Sequence, residues 1–276
     1  MKLKPVLAMI AVVFAWYPLA AHAAGAEEAG EMFTDRPDQA ESSHTVGAGH
    51  IQVEAGGDVE WSDGAEGVVT SLRTPLKLRF GVSERWEIHL QSEVMGLDVV
   101  PSSELAGMGR AISGVGDLDA GFKWNALKPG GELPTWIPSA ALLLAVSAPF
   151  GSVGFGAGSA WGKATLAADF DLPGELGLAA NLGLLLPLAD LGGVPPGFRF
   201  AATFAHPMDP ISDHLGAYVE LFGEGPFDRD VDPLLSLGGG ITYLVARPLQ
   251  IDLSMRAGVI GDLPVVGAGL GVSYRI

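Results

Sequence analysis

The chain has 276 residues, of which 48% are hydrophobic and only 17% are charged, and its mean hydropathy is +0.33. Soluble domains carry roughly 25% charged residues, so this composition is apolar for a protein in water. The formal net charge of −16 argues against nucleic acid as a partner, because binding phosphates requires a basic surface. With no cysteine, the sequence also excludes disulfides, thiolate catalysis and an acylated cysteine anchor.

The N-terminus predicts a secretory signal peptide over residues 1–23. Lys2 and Lys4 form a basic region, an apolar core follows from Val6 to Tyr17, and Ala21-His22-Ala23 supplies the small residues of a cleavage site. The alternative is an N-terminal membrane anchor, but the apolar core is short for a membrane span. We therefore expect an exported protein.

Residues 24–44 form a polar, acidic leader without strand periodicity. Its central charged residues are Asp35, Arg36 and Asp38. One interpretation is a polar leader in which Arg36 pairs with a nearby acid. The sharper hypothesis is that the leader folds into the lumen of a barrel and narrows or gates it, with these three residues as the gate.

The stretch from Val68 to Glu93 predicts two amphipathic strands joined by a short turn at residues 81–84. Successive side chains of a strand point to opposite faces, so alternating polarity gives one apolar and one charged face. The apolar positions are Leu72, Leu76, Leu78 and Phe80 in the first strand and Trp86, Ile88 and Leu90 in the second. The charged or polar positions are Arg73, Lys77 and Arg79, followed by Glu87, His89 and Glu93.

The same alternation recurs along the rest of the chain and predicts about twelve strands, with loops at residues 62–66 and 95–113 between the early ones. The fourth strand, at residues 114–124, places Asp117, Asp119 and Lys123 on its polar face. An even number of strands is typical of bacterial outer-membrane barrels. Shorter connections alternate with longer ones, which predicts periplasmic turns at the end of the barrel that carries both termini.

The polar faces of these strands carry both signs of charge in similar numbers, whereas the apolar faces carry almost none. A basic residue at the lipid face costs roughly 2–4 kcal/mol near the membrane midplane, so the charged faces belong inside. The fold class we predict is all-β, a transmembrane antiparallel up-and-down β-barrel of about 12 strands covering residues 45–276. A soluble periplasmic β-barrel binding protein is an alternative, which predicts a smaller apolar face.

Motifs for catalysis or cofactor binding fail on inspection. The Gly-rich segment before Lys163 has Ala157 where a P-loop needs its first glycine and Ala164 where it needs Ser or Thr. The histidines of the mature chain lack metal-ligand spacing. His89 and Ser92 differ in strand parity and point to opposite faces. We therefore expect no enzyme, no cofactor and no metal site.

Several segments together resemble one protein family, that of the MetA pathway of phenol degradation. These are Phe33-Thr34-Asp35-Arg36-Pro37-Asp38, the segment from Gly49 to Gly56, the hairpin from Leu78 to Ile88, the strand from Gly114 to Trp124, and the segment from Ala145 to Gly151. Members of this family are usually described as outer-membrane transporters. The resemblance implies traffic of hydrocarbons or aromatic compounds without identifying a substrate.

One departure from the usual outer-membrane pattern lies at the C-terminus. Such proteins commonly end in an aromatic residue that the barrel-assembly machinery reads, whereas this chain ends in Ile276 with Tyr274 keeping the alternation.

The sequence therefore predicts a passive channel in the outer membrane of a Gram-negative bacterium, for small solutes with aromatic or hydrophobic compounds as candidates. The expected partners are outer-membrane lipid, the barrel-assembly machinery and small-molecule solutes. The alternative is a structural or surface-interaction barrel whose lumen is closed by ion pairs. The predicted lumen and selectivity residues are Arg73, Lys77, Arg79, Glu87, His89, Glu93, Asp117, Asp119 and Lys123.

Overall fold

A computed structural model describes residues 32–64, 67–101, 110–128, 137–188, 195–209, 211–228, 232–261 and 265–276. The predicted signal peptide and the first part of the leader lie outside the described residues. In the described ranges, no helix is long and apolar enough to cross a membrane. The regular elements are β1 Ile51–Gly64, β2 Gly67–Gly81, β3 Trp86–Val100, β4 Arg110–Gly114, β5 Leu118–Leu127, β6 Ser139–Ala148, β7 Trp161–Leu172, β8 Leu176–Pro187, β9 Gly197–Pro207, β10 Leu215–Pro226, β11 Leu234–Ala246, β12 Leu249–Ile260 and β13 Val265–Arg275.

The strands pair antiparallel with their neighbours in the chain, and β13 returns to pair with β1, which closes the sheet. The segments β4 and β5 both pair with β3, one along its second half and the other along its first half. Together they occupy one position in the wall, so the thirteen segments form a closed barrel of twelve strands. The predicted up-and-down β-barrel is confirmed.

The predicted fourth strand, residues 114–124, is not continuous. β4 ends at Gly114 and β5 begins at Leu118. Between them the N–H of Gly116 donates to the carbonyl of Glu93 over 2.8 Å, which keeps the wall closed across the break. The sequence pattern did not reveal the break because the polar and apolar positions keep their alternation through it.

The predicted loop at 95–113 is wrong at both of its ends, where β3 continues to Val100 and β4 occupies Arg110–Gly114. The cause is a β-bulge, at which Arg73 pairs with Gly96 but Pro75 pairs with Glu93. The one extra residue on β3 reverses its parity, so the alternation that marks a strand can no longer be read there.

The predicted loop at 62–66 is also too long, because β1 continues to Gly64, which pairs with Gly67 of β2. We name the end of the barrel at which β1 begins and β13 ends the terminal end, and the opposite end the far end. Connections at the far end are longer on average, as predicted. The two-residue link at 65–66 and the long terminal-end connection at 128–138 are exceptions.

The outer surface is a band of exposed aliphatic side chains around the barrel. Leu166 and Leu182 are 60% exposed, Val219 63%, Met255 65% and Leu270 62%. Trp86 and Trp124 stack near the terminal end with ring centroids 5.7 Å apart. Apolar side chains outside and charged ones inside are the arrangement expected of a barrel surrounded by lipid.

This surface predicts a position-dependent penalty for charge. Leu182 lies mid-strand on the outer face of β8, so Leu182→Arg should lower the free energy of unfolding from lipid vesicles by about 2–4 kcal/mol. The matched change Leu188→Arg, just beyond the end of the same strand, should cost no more than about 1 kcal/mol. Equal penalties at both positions in urea unfolding would contradict a lipid-facing band centred on the strands.

Candidate functional site: the lumen and its leader

Most of the predicted lumen residues of β2, β3 and β5 lie on the inner face at the terminal half of the barrel. Arg79, Glu87 and Lys123 are fully buried, and Lys77 and His89 are nearly so. The alternation of β2 and β3 brings them together because Arg79 pairs in register with His89, and β5 places Lys123 directly opposite Glu87.

Arg79 is the centre of this cluster. Its guanidinium lies 2.8 Å from the carboxylate of Glu87, 3.0 Å from that of Glu54 and 3.4 Å from that of Asp35. Lys123 lies 3.2 Å from Asp35, and Lys77 lies 2.7 Å from it. We name these six residues the ion cage. Buried charges of both signs lie next to one another here. A charge deep inside a protein is costly unless an opposite charge compensates it.

Asp35 comes from the leader and inserts into the ion cage. Burial by itself would raise the pKa of this carboxyl, but the positive charges of Arg79, Lys123 and Lys77 outweigh it and hold the pKa well below its usual range. Asp35 therefore stays ionised at neutral pH. The interaction anchors the leader to two strands, β2 and β5.

The backbone at both ends of this segment makes further hydrogen bonds to the wall that carries Arg79 and Glu87. Arg79 donates to the carbonyl oxygens of Phe33 (2.9 Å) and His44 (3.0 Å), and the N–H of Val46 donates to Glu87 over 2.9 Å. The rings of Phe33 and His44 stack 3.9 Å apart. The two ends of the described part of the leader are thereby folded against each other and against the ion cage.

The middle of the leader reaches the opposite walls. The N–H of Gln39 donates to Glu220 of β10 over 2.8 Å, and the N–H of Ser43 donates to Asp169 of β7 over 2.7 Å. The N–H of Glu41 donates to the side chain of Asn181 on β8 over 2.6 Å. The leader therefore crosses the lumen and is hydrogen-bonded to walls on both sides of it.

Arg36 lies between two acids, as the simpler sequence interpretation expected. Its guanidinium is 3.4 Å from Asp252 and 3.8 Å from Asp58. Gly56 and Gly271 line the space it occupies, and a Cβ at either position would collide with the Arg36 side chain. Small residues on two neighbouring strands thus make room for this leader arginine.

Two cavities lie on either side of the leader. One of about 970 Å³ lies toward the terminal end and is bordered by Tyr218 and Arg247, and one of about 570 Å³ lies toward the far end and is bordered by Lys163 and Arg256. Among the leader residues that the structure describes, only Arg36-Pro37-Asp38 border both cavities. This part of the leader is therefore the partition between the two cavities.

The remaining predicted lumen residues lie apart from the ion cage, toward the far end. Arg73 pairs with Asp98 (2.6 Å) and Glu93 (3.4 Å), and Asp119 pairs with Lys163. Arg73 also lies over the ring of Phe155, 5.1 Å from its centroid. They form separate local ion pairs.

Asp117 is not a strand residue and serves a different purpose from the one predicted. Its carboxylate accepts the N–H groups of Gly151 (2.8 Å) and Ala157 (2.7 Å), which belong to the connection between β6 and β7. Phe155 of that connection packs on Gly96 and Gly114, where no side chain could fit. Asp117 thus holds a far-end loop against the barrel wall.

The role of Asp117 predicts a local effect of its loss. Asp117→Ala removes two charge-assisted hydrogen bonds, each worth about 1.5–3 kcal/mol, from the 149–160 connection. We expect this connection to become sensitive to added protease in the folded protein while the barrel remains resistant. Asp171→Ala, which removes an acid that makes no such bonds, is the control. Equal protection of the loop in both variants would show that Asp117 does not hold it.

The leader also approaches Asp58, Glu220, Asp252 and Tyr218. Strand parity places the three acids on the inner face, but sequence reasoning did not select any of the four as site residues. The sequence feature that could have pointed to these residues is a set of glycines on neighbouring strands. Gly238 and Gly240 of β11 leave the space taken by Glu220 and Tyr218, and Gly269 leaves the space taken by Asp58. Glycines at alternate positions of a predicted strand are readable, but which large side chain fills each gap depends on the register. Within the described ranges, no cluster of three or more metal-ligating side chains is present.

Comparison with solved structures identifies the same architecture in outer-membrane proteins. An outer-membrane channel from Pseudomonas putida F1 superimposes with a TM-score of 0.62 at 12% identity, covering 85% of this chain and 98% of that one. The NanC porin gives 0.52 at 9% identity, covering 80% and 98%. The translocator domain of the autotransporter NalP from Neisseria meningitidis gives 0.52 at 13%, covering 83% and 89%. At these identities the likeness concerns the fold alone.

No curated protein sequence matches the chain significantly. A family model does match, over residues 34–276, which includes the central part of the leader and the whole barrel. Its description is "Putative MetA-pathway of phenol degradation". The resemblance inferred from the leader and the strand motifs is thereby confirmed, and the chain belongs to this family.

Proposed function

We propose that the protein is a passive channel of the Gram-negative outer membrane, exported by the signal peptide at residues 1–23, through which small solutes diffuse. Its partners are then membrane lipid, the barrel-assembly machinery and the solutes themselves. Candidate solutes are small aromatic or hydrophobic compounds, in keeping with the family. The three solved structures compared above are a channel, a porin and a translocator domain.

The observation that carries this proposal is the pair of cavities inside the barrel. They are bordered by charged and polar side chains, and three leader residues separate them. A structural barrel whose lumen is closed by ion pairs would leave no such space. Here the interior keeps solvent-sized space on both sides of one thin partition, which suits passage of small molecules.

The leader is the gate in this proposal. Asp35 is its fixed point, because it lies in the ion cage. Asp38 and its neighbours are attached mainly by single hydrogen bonds to the β7–β10 walls, such as that from Gln39 to Glu220. A movement of this middle part away from β8–β10 joins the two cavities without disturbing the anchor.

Liposome swelling tests the function directly. Vesicles containing the folded protein should swell in isotonic sugars, amino acids and phenolic acids, at rates that fall steeply as solute size increases. The control is the same vesicles without protein. Folded, membrane-inserted protein that permits no swelling with any solute would favour the alternative, a structural or surface-interaction barrel with a lumen closed by ion pairs.

A further inference from the structure

We propose that the partition between the two cavities is a cation-selective filter, formed by an acidic ring of Asp58, Glu220 and Asp252 around the leader residues Arg36 and Asp38. This inference rests on the proposed channel function and adds to it the class of solute that passes most readily. Neutral and positively charged small solutes would be favoured over anions of equal size.

The first support is the balance of charge at the partition. Arg36 is shared between Asp58 at 3.8 Å and Asp252 at 3.4 Å, so one positive charge faces two negative ones. A second base that borders the far-end cavity, Arg256, is paired with Glu60. Glu220 has only the backbone N–H of Gln39 as a hydrogen-bond donor among the described residues. Negative charge is therefore in excess.

The second support is a set of buried oxygen atoms without partners. Tyr218 is 7% exposed and borders the terminal-end cavity, and its hydroxyl has no hydrogen-bond partner among the described residues. One carboxylate oxygen of Asp252, which is 3% exposed, also lacks a partner. Unpartnered oxygens are what a passing cation or ammonium group can contact.

The third support is the way in which the barrel wall accommodates these side chains. Gly238 and Gly240 of β11 lie beneath Glu220 and Tyr218, and Gly271 of β13 lies beneath Asp252 and Arg36. A Cβ at any of these three positions would collide with the side chain above it. The acidic ring therefore lies flat against the wall and leaves the space at its centre to the leader and to solutes.

The acids repel one another at this point. Burial raises the pKa of the Asp38 carboxyl well above its usual range, and the negative charge of Glu220 raises it further. A cation that enters the ring relieves this repulsion, whereas an anion increases it. Rings of Asp and Glu select cations in this way, and narrow passages with low-dielectric walls strengthen the effect.

The reversal potential in planar bilayers measures this preference. In a gradient of KCl, the wild-type protein should pass K⁺ more readily than Cl⁻. Glu220→Gln combined with Asp58→Asn keeps the hydrogen-bonding shapes and removes two charges. We expect the K⁺/Cl⁻ permeability ratio to fall about tenfold for each charge removed, because a unit charge about 6 Å away in water favours K⁺ and disfavours Cl⁻ by about threefold each.

A second variant and a control separate selectivity from misfolding. Arg36→Gln removes the positive charge at the centre of the ring, so its ratio should rise, opposite in direction to the acid variants. Asp209→Asn, in an exposed turn at the terminal end and bordering neither cavity, should leave the ratio unchanged.

Two failures of this experiment have different meanings. Stepwise current that prefers Cl⁻, or whose ratio is unmoved by all the ring variants, would overturn the filter and leave the channel intact. Folded protein that carries no current at all would overturn the channel function and the filter together.

Discussion

Deleting residues 24–43 is expected to raise single-channel conductance several-fold. The described part of this segment crosses the lumen, forms the partition between the two cavities and is bonded to Glu54, Asp169 and Glu220 on different walls. Its removal leaves one continuous water-filled path, and the conductance of a pore increases with its narrowest cross-section. Planar-bilayer recording of the deleted and intact proteins measures the change.

A shorter deletion is the matched control for this experiment. Removing only residues 24–31 shortens the leader but keeps every lumen contact described from Phe33 onward. This variant should conduct like the intact protein. If both deletions conduct like the intact protein, the leader does not limit passage, and the gate hypothesis is wrong.

Arg79→Met is expected to be among the most destabilising single changes in the barrel. Arg79 is fully buried and contacts Glu54, Glu87 and Asp35, so its removal leaves three buried carboxylates facing a reduced positive charge. Breaking a buried ion pair by removing one partner costs about 3–5 kcal/mol. Folding into detergent micelles, followed by the heat-dependent mobility shift on gels, should show a marked fall in unfolding temperature.

Arg85→Met is the control. Arg85 is exposed in the adjacent turn, and its side chain donates one hydrogen bond, to the carbonyl of Ala126. It should leave the unfolding temperature nearly unchanged. Adding Glu87→Gln to Arg79→Met should restore part of the lost stability, because it removes one uncompensated charge. Arg79→Met that is as stable as Arg85→Met would show that the ion cage does not hold the barrel and leader together.

The strands of the barrel wall could be predicted from sequence because the alternation that marks them involves residues close together in the chain. In the hairpin from β2 to β3 every second residue is apolar, and the lipid side and the lumen side differ so strongly that parity assigns the faces. That rule failed at the bulge beside Arg73, which shifts the alternation, and at the break between β4 and β5, where the alternation continues although the strand does not. A bulge changes which residues share a face without changing composition, so hydropathy does not reveal it.

The arrangement of the lumen was predictable only in part. Arg79, Glu87 and Lys123 fall on the inner face by parity alone. That Asp35 joins them could not be read from the sequence, since the leader has no periodicity and Asp35 and Lys123 are 88 residues apart in the chain. The acidic ring depends on the register of β1, β10 and β12 around Arg36, which sequence patterns do not contain.

The most direct test of the account uses a disulfide that ties the leader to the wall. The natural chain has no cysteine, and the side chains of Ser43 and Asp169 are in contact at 2.7 Å, so Ser43→Cys with Asp169→Cys introduces one defined bridge. Liposome swelling is then measured for the same protein before and after reduction. We predict slow swelling while the bridge is closed and faster swelling once it is reduced, with the cysteine-free protein indifferent to the reductant. Equal rates in the oxidised and reduced states would contradict passage of solutes through a lumen that the leader controls.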